Sequence, residues 1–335
     1  MSVKNKIKSL LRPSYRFFKD RHNLITGSIY DFHRFLKYGG WKQNMYETSQ
    51  RNYFSMLIYH GLEKSMSYKQ RELGHGWRNA EILVTNLKIA QKTRDIDYHD
   101  KASKQILEKF ISLPENINIA RSKEIKAFLE QLDFTSDDEH GIKHLSLADF
   151  HKGRLENPED FFFSRYTLRE FRTKTVSDEK IEYAIKLATK TPSVCNRQHW
   201  HVYHTNDPKV RDLALELQNG NSHFGHKIPN LMIITTDLKA FYGPHERYQP
   251  WIDGGMFAMS LIYTFHSIGI ASCVLNWSQL PKNDRLLRKR LNISPEHTII
   301  SYLAIGYPDK DNIVCSSKRK NYKSFIKKLE SNNKK

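Results

Sequence analysis

Downstream of Asn157-Pro158-Glu159-Asp160 the apolar residues fall into short continuous runs separated by helical stripes, whereas upstream only the helical period is legible. The runs at 200–204, 231–236, 271–277 and 298–306 predict four strands. Ile181, Ala184, Ile185 and Ala188 recur at helical spacing behind Ser177, a residue type that caps helices, with Asp178 and Glu179 in the first turn where the dipole favours acids. That helix has to stop before Pro192. Residues 254–268 are apolar nearly all round, which predicts a helix buried on most sides. Strands and helices in this order predict an α+β domain over 158–320.

Upstream, Met56, Leu57 and Leu62, then Ala80, Ile82, Leu83 and Leu87, predict two helices about a turn at Gly74-His75-Gly76. Residues 102–111 and 122–132 predict two more, and 137–141 a polar loop. Near the N-terminus, Ile7, Leu10, Leu11, Phe17 and Phe18 group on one helical face with Lys or Arg between them. Such a face suits the protein's own core or, as a peripheral contact through the basic N-terminus, an anionic membrane surface. The many apolar side chains that follow favour docking on the core. Residues 1–157 are thus read as a mainly helical extension, and 321–335 as a basic tail.

At 335 residues with 39% hydrophobic content the chain can bury a full core. Its net charge of +18 does not choose among nucleic acid, an anionic membrane and a phosphorylated ligand. Much of the excess is scattered lysine, which fits a solvated surface, and no nucleic-acid partner is expected. Cys195, Cys273 and Cys315 lie far apart without C-x-x-C spacing, so neither a disulfide framework nor a thiolate zinc site is predicted. No apolar stretch precedes Arg12-Pro13 and none reaches ~20 residues, so a cytoplasmic protein is expected.

Chemistry concentrates in two segments. Arg165-Tyr166-Thr167-Leu168-Arg169 and Pro192-Ser193-Val194-Cys195-Asn196-Arg197-Gln198-His199-Trp200 gather guanidinium, hydroxyl and amide groups suited to a multiply hydrogen-bonded ligand with an anionic end. At helical spacing Arg165 and Arg169 share a face with Thr167 nearby. Taken alone, the arginine pair fits a surface ion-pair set with Glu170 and Glu179 equally well. Taken with the second segment, one helix further on, the order of residues resembles the flavin-binding signatures of the nitroreductase family. The resemblance runs from about Phe161 to about Lys320.

That resemblance implies an FMN-binding α+β fold and a homodimer with flavin at the subunit interface. It implies that Arg165, Thr167 and Arg169 hold the phosphate and ribityl end, with Tyr166 where a second basic residue often stands. Pro192, Ser193, Val194 and Asn196 would line the ring edge from the partner subunit. Gln198 and Arg197 would brace that loop, in which His199 replaces the usual Pro. The strand after the long buried helix would give a backbone N–H to flavin N5, from Val274, Leu275 or Asn276. Lys318 and Arg319, after Gly306-Tyr307-Pro308-Asp309, resemble a late phosphate-binding basic pair.

The implied reaction passes hydride from NAD(P)H to flavin N5 and then reducing equivalents to an unidentified small-molecule acceptor, with no side-chain acid or base required. Other chemistries lack support. Residues 220–227 resemble a phosphate loop, but His226 stands where its lysine would, and Gly74-His75-Gly76 lacks a third glycine and a preceding strand. His199 and His201 face one way in a strand and His204 the other, so no metal site is predicted. Cys195 has no evident base partner. The alternative function is a flavin-containing binding protein at an anionic membrane surface or in surface-polysaccharide biosynthesis. The extension, through 60–64 and 74–78, resembles one found in nitroreductase-like proteins of bacterial surface-polysaccharide loci.

Overall fold

The computed structural model describes residues 3–42, 44–68 and 74–331, with side chains from Tyr15 onward apart from Lys42. The extension carries α1 (Val3–Tyr38), α2 (Thr48–Ser67), α3 (Trp77–Thr93), α4 (Tyr98–Ile111), α5 (Ala120–Leu129) and the short α6 (Leu147–His151). Beyond it lie α7 (Pro158–Phe163), α8 (Asp178–Ala188), β1 (Trp200–Thr205), α9 (Pro208–Glu216), β2 (Asn230–Asp237), α10 (Gln249–Ser267), β3 (Ala271–Asn276), α11 (Pro281–Leu291) and β4 (His297–Gly306). The four expected strands and the apolar helix appear within five residues of their expected ends, but the helix is buried on one face only, with Trp251, Ile252 and Met256 exposed on another. α9 and α11 were not anticipated.

The strands form one antiparallel sheet in the order β1-β2-β4-β3. Every residue of β2 and nearly every residue of β4 is buried, because helices cover both faces of these central strands. That is why they read as continuous apolar runs instead of alternating ones. On one face α8 and α10 bring Ile181, Ala184, Phe257, Leu261 and Phe265 against Met232, Ile234, Leu303 and Ile305. On the other, Ala214, Leu215 and Leu287 pack on Ile233, Tyr302 and Ala304. Gly254 permits the close approach of α10: a Cβ there would sit 2.5 Å from Ile300 Cγ1.

Ser177 stands at the start of α8, yet its side chain makes no cap hydrogen bond. Its hydroxyl serves the Glu179 carboxylate instead, and that bond holds Glu179 below the usual carboxylate range. The expected cap is therefore corrected to a side-chain pair in the first turn.

In the extension, α2 to α5 enclose a core of their own around Met56, Leu62, Leu83, Leu87, Ile106, Leu107 and Phe110. Gly76 closes the turn before α3 with φ +96, and a Cβ there would meet Phe110 and Leu62 within 3 Å. This core is docked on the sheet through α2: Tyr53 donates to Asp237 at 3.1 Å, and Phe54 packs edge-on against Tyr242. Among the described side chains α1 docks at its C-terminal end, where Tyr30 donates to Asp284 at 2.7 Å, Arg34 to the His297 carbonyl at 3.0 Å, and Phe35 enters the cluster of Leu238 and Phe241. The expected self-docking thus holds for the last turns, while Phe18, Leu24, Ile25, Ile29 and Phe32 remain exposed along one stripe. The side chains of Ile7, Leu10 and Leu11 lie outside the described ones.

Candidate functional site

Residues 165–169 are not helical. α7 stops at Phe163, Thr167 forms a parallel bridge with Ser272, and the Leu168 amide donates to the Ser272 carbonyl at 3.1 Å. The helical spacing of Arg165 and Arg169 is corrected accordingly. Strict alternation about the Thr167 bridge would set 165, 167 and 169 opposite buried Leu168, but the neighbouring cavity takes Arg165 together with Tyr166 and Leu168, and not Thr167 or Arg169. Arg165 and Tyr166 line a cavity of about 400 Å³ closed by His266, residues 269–272 of the chain entering β3, and Pro308, Asn312 and Val314 after β4.

Arg169 is exposed and its Nη1 lies 3.7 Å from Cys315 Sγ. Its charge reaches Cys273, whose thiol burial raises and Arg169 partly restores. The chain after β4 is thereby held beside Arg169, and Lys318 and Arg319 follow three and four residues later, both exposed.

β3 is an edge strand, and its outer edge has a defined polarity. Because the Ser272 carbonyl points outward to Leu168, alternation turns the amides of Ser272, Val274 and Asn276 outward and those of Cys273 and Leu275 toward β4. The Asn276 carbonyl on this edge accepts from Gln218 at 3.0 Å. The Val274 side chain is 47% exposed, so amide and side chain both stand open. Leu275 is buried, with its amide committed to the sheet.

The second segment leads into β1, on the opposite edge. After Pro192, residues Val194–Asn196 make a single 3-10 turn, and Cys195, Asn196 and Gln198 hold left-handed φ values of 48, 54 and 47. Ser193 Oγ accepts from the Gln198 amide at 3.0 Å, so Ser193 and Gln198 tie the loop across its base. Asn196 and Gln198 are exposed. Arg197 points inward, donating to both carboxylate oxygens of Glu246 at 2.9 and 2.6 Å and to the Ala240 carbonyl. Burial pushes Glu246 up, but the Arg197 fork outweighs it and holds the carboxyl below its usual range.

Asp253, fully buried, anchors this loop from α10. Its carboxylate accepts from the Val194 amide at 2.9 Å, from Gln249 at 2.7 Å and from His199 Nε2 at 2.7 Å. Burial lowers the His199 pKa, so the ring is neutral, its proton sits on the nitrogen facing Asp253, and Nδ1 is left without a partner. Sequence reasoning missed Asp253, Glu246 and the Ser272 carbonyl. A lone acid entering an otherwise apolar helix was the available signal for Asp253, because a buried carboxylate requires donors.

The two segments therefore sit on opposite edges of a four-stranded sheet, three strand spacings or about 14 Å apart. The sequence model of the nitroreductase family matches residues 163–307. The chain is 26% identical over 158 residues to a protein of Archaeoglobus fulgidus named "Putative NADH dehydrogenase/NAD(P)H nitroreductase", covering 46% of this chain and 87% of that one. It is similar to the solved FMN-dependent nitroreductase of Clostridium difficile (21% identity, 52% of this chain, 98% of that chain, TM-score 0.42). It is also similar to a nitroreductase-family protein of Streptococcus pneumoniae (20% identity, 51% and 98%, TM-score 0.43). The family match begins at residue 163, beyond the extension.

Proposed function

The chain belongs to the nitroreductase family through residues 163–307, and on that premise we propose that it is an FMN-dependent oxidoreductase using NAD(P)H and a small-molecule acceptor. The cofactor assignment is supported by the placement of the segment: Arg165 lines the cavity beside β3, Thr167 is bridged to Ser272, and Arg169 is exposed two residues on. Two guanidiniums and a hydroxyl match a phosphate dianion and a ribityl chain, so the residues fit the group. Lys318 and Arg319, three and four residues after the Cys315 that lies beside Arg169, are assigned to the same anionic end. The open amides of Val274 and Asn276 are the donors this strand has left for a ring nitrogen, which takes Leu275 out of that role. Bound FMN supplies a two-electron carrier between a nicotinamide donor and the acceptor.

Pro192, Ser193, Val194, Asn196 and Gln198 are assigned to the ring edge of a flavin held mainly by a second copy. The opposite-edge placement of the two segments supports a homodimer, because one chain does not bring them together. No proton-transferring side chain is assigned. The protein is expected to be yellow and to release FMN, not FAD, on denaturation. Charge-assisted hydrogen bonds contribute ~1.5–3 kcal/mol each, so Arg169→Ala should weaken FMN binding by about ten- to a hundredfold. A colourless protein that FMN does not reconstitute ends the cofactor assignment, and a monomer that binds FMN fully ends the shared site.

A second reading places this enzyme at an anionic membrane surface, favoured by the exposed stripe of α1. Phe18 is 70%, Leu24 69% and Phe32 64% exposed, and Lys19, His22, His33 and Lys37 flank the stripe. An apolar stripe with a basic border is the pattern of a helix lying in the lipid interface. No described helix is long and apolar enough to cross a membrane. Phe18→Glu with Ile25→Glu should lower binding to phosphatidylglycerol vesicles about a hundredfold or more, with flavin content unchanged. Equal binding by both forms rules this reading out, and a dimer that the variant splits reassigns the stripe to a second copy.

A further inference from the structure

We propose that His201, Asp237 and His297 form a binding site for a divalent transition-metal ion of the zinc class, at the seam where α2 meets the end of the sheet. The sheet register builds the cluster. Asp237 pairs directly with His297 across β2 and β4, and His201 of β1 pairs with Thr235, two residues from Asp237 and on the same face. One ligand atom from each of the three lies within 4.8 Å of the others. The imidazole rings are stacked, with centroids 4.0 Å apart and planes 17° from parallel.

The surroundings suit coordination. The Tyr203 hydroxyl lies 2.8 Å from His297 Nδ1, which fixes the ring and leaves Nε2 for an ion, the outer-shell arrangement that ligating histidines use. Both ring nitrogens of His201 are without a hydrogen-bond partner among the described residues. His297 is buried, whereas His201 keeps an edge open to solvent. Asp237 takes the Tyr53 hydroxyl on one oxygen and the Lys239 amide on the other, and each oxygen keeps a further lone pair.

The local charge favours a dication. Lys239 pairs with Glu47 at 2.9 Å and Glu296 at 3.1 Å, so with Asp237 three carboxylates face one ammonium, leaving two negative charges uncompensated. The nearby Arg288 is matched by Asp284 at 2.7 Å. Zinc bonds of about 2.1 Å in tetrahedral array place ligand atoms about 3.4 Å apart. The cluster therefore has to close by up to about 1.4 Å, and because the in-plane lone pairs of stacked rings do not converge, His201 also has to turn out of the stack, which its exposed place on an edge strand permits. Its open edge leaves the remaining coordination position to water.

Sequence spacing could not show this site, since it compared His201 only with its strand neighbours. The test uses tag-free full-length protein, stripped with chelator and titrated with Co(II) and Zn(II). One Co(II) per chain is expected, with a dissociation constant of about 1 µM or tighter, visible d–d absorption and a rise in melting temperature. Tyr203→Phe should weaken binding about ten- to a hundredfold without altering the fold. His201→Ala, at a position exposed enough to fold, should abolish the d–d signal, and His204→Ala, an exposed histidine of the same strand, should not. Absence of stoichiometric binding, or binding retained in His201→Ala, overturns the proposal.

Discussion

Asp253→Ala is expected to lower stability by about 3–5 kcal/mol and to strip the protein of its flavin in the same step. Three donors converge on this carboxylate, and hydrogen bonds to charged groups contribute ~1.5–3 kcal/mol each. Removing the acceptor takes from the Val194 amide, the His199 ring and the Gln249 amide the partner they share, at a point where Asp253 and His199 are both fully buried. The effect is tied to protonation state. Burial alone would raise the Asp253 pKa, yet the bonds from His199, Val194 and Gln249 hold it below the usual carboxylate value. A depressed folded pKa means the contribution is complete at neutral pH, starts to fall near pH 4 and is lost as pH drops through the folded value. Denaturant unfolding and flavin retention measured side by side check this; a variant within about 1 kcal/mol of wild type would show that the loop is not anchored from α10.

The second large effect is expected far from that site. Arg51 is fully buried in the extension, donating to both oxygens of Asp100 at 3.2 and 3.1 Å and to the carbonyls of Met45 and Asp95. Arg51→Ala leaves a buried carboxylate whose pKa burial already raises, and breaking such a pair costs about 3–5 kcal/mol. Because α2 to α5 have their own core, the loss should appear as local opening: faster proteolysis and hydrogen exchange over 48–132 with flavin absorbance retained. Replacing both partners by Met and Leu should recover most of the stability, since no charge is then buried alone. Global unfolding of the single variant in one step would make the extension and the sheet one cooperative unit.

Both sites show what a linear sequence can and cannot carry. β2 and β4 were legible because strands covered on both faces must be apolar along their whole length. α10 was legible as a helix, but not as one with an open face: Trp251, Ile252 and Met256 are exposed, so its apolar character does not come from burial on all sides. The arginine pair was read at a helical spacing that the chain does not have there, because α7 stops at Phe163. Arg51 and Asp253 were not legible: their meaning lies in partners 49 and 54 residues away, and nothing local distinguishes a buried charge from a solvated one. The choice among Val274, Leu275 and Asn276 likewise needed the pairing register, because backbone amides leave no mark on residue type. α9 and α11 were missed because each begins at a proline after a polar stretch and buries few residues.

The loop that Asp253 anchors also has a mechanical side. Cys195, Asn196 and Gln198 all occupy left-handed backbone without being glycine, at roughly 1–2 kcal/mol each. The bonds from Val194 and His199 to Asp253 and the Arg197 fork on Glu246 hold the loop against that strain, so it behaves as a bent spring held at two points. Released, it would recoil toward ordinary backbone angles and carry Ser193 and Asn196 with it. Its geometry is therefore set from behind, by a helix that never faces the ligand, and changes to α10 at this point would retune the site without touching any residue that lines it.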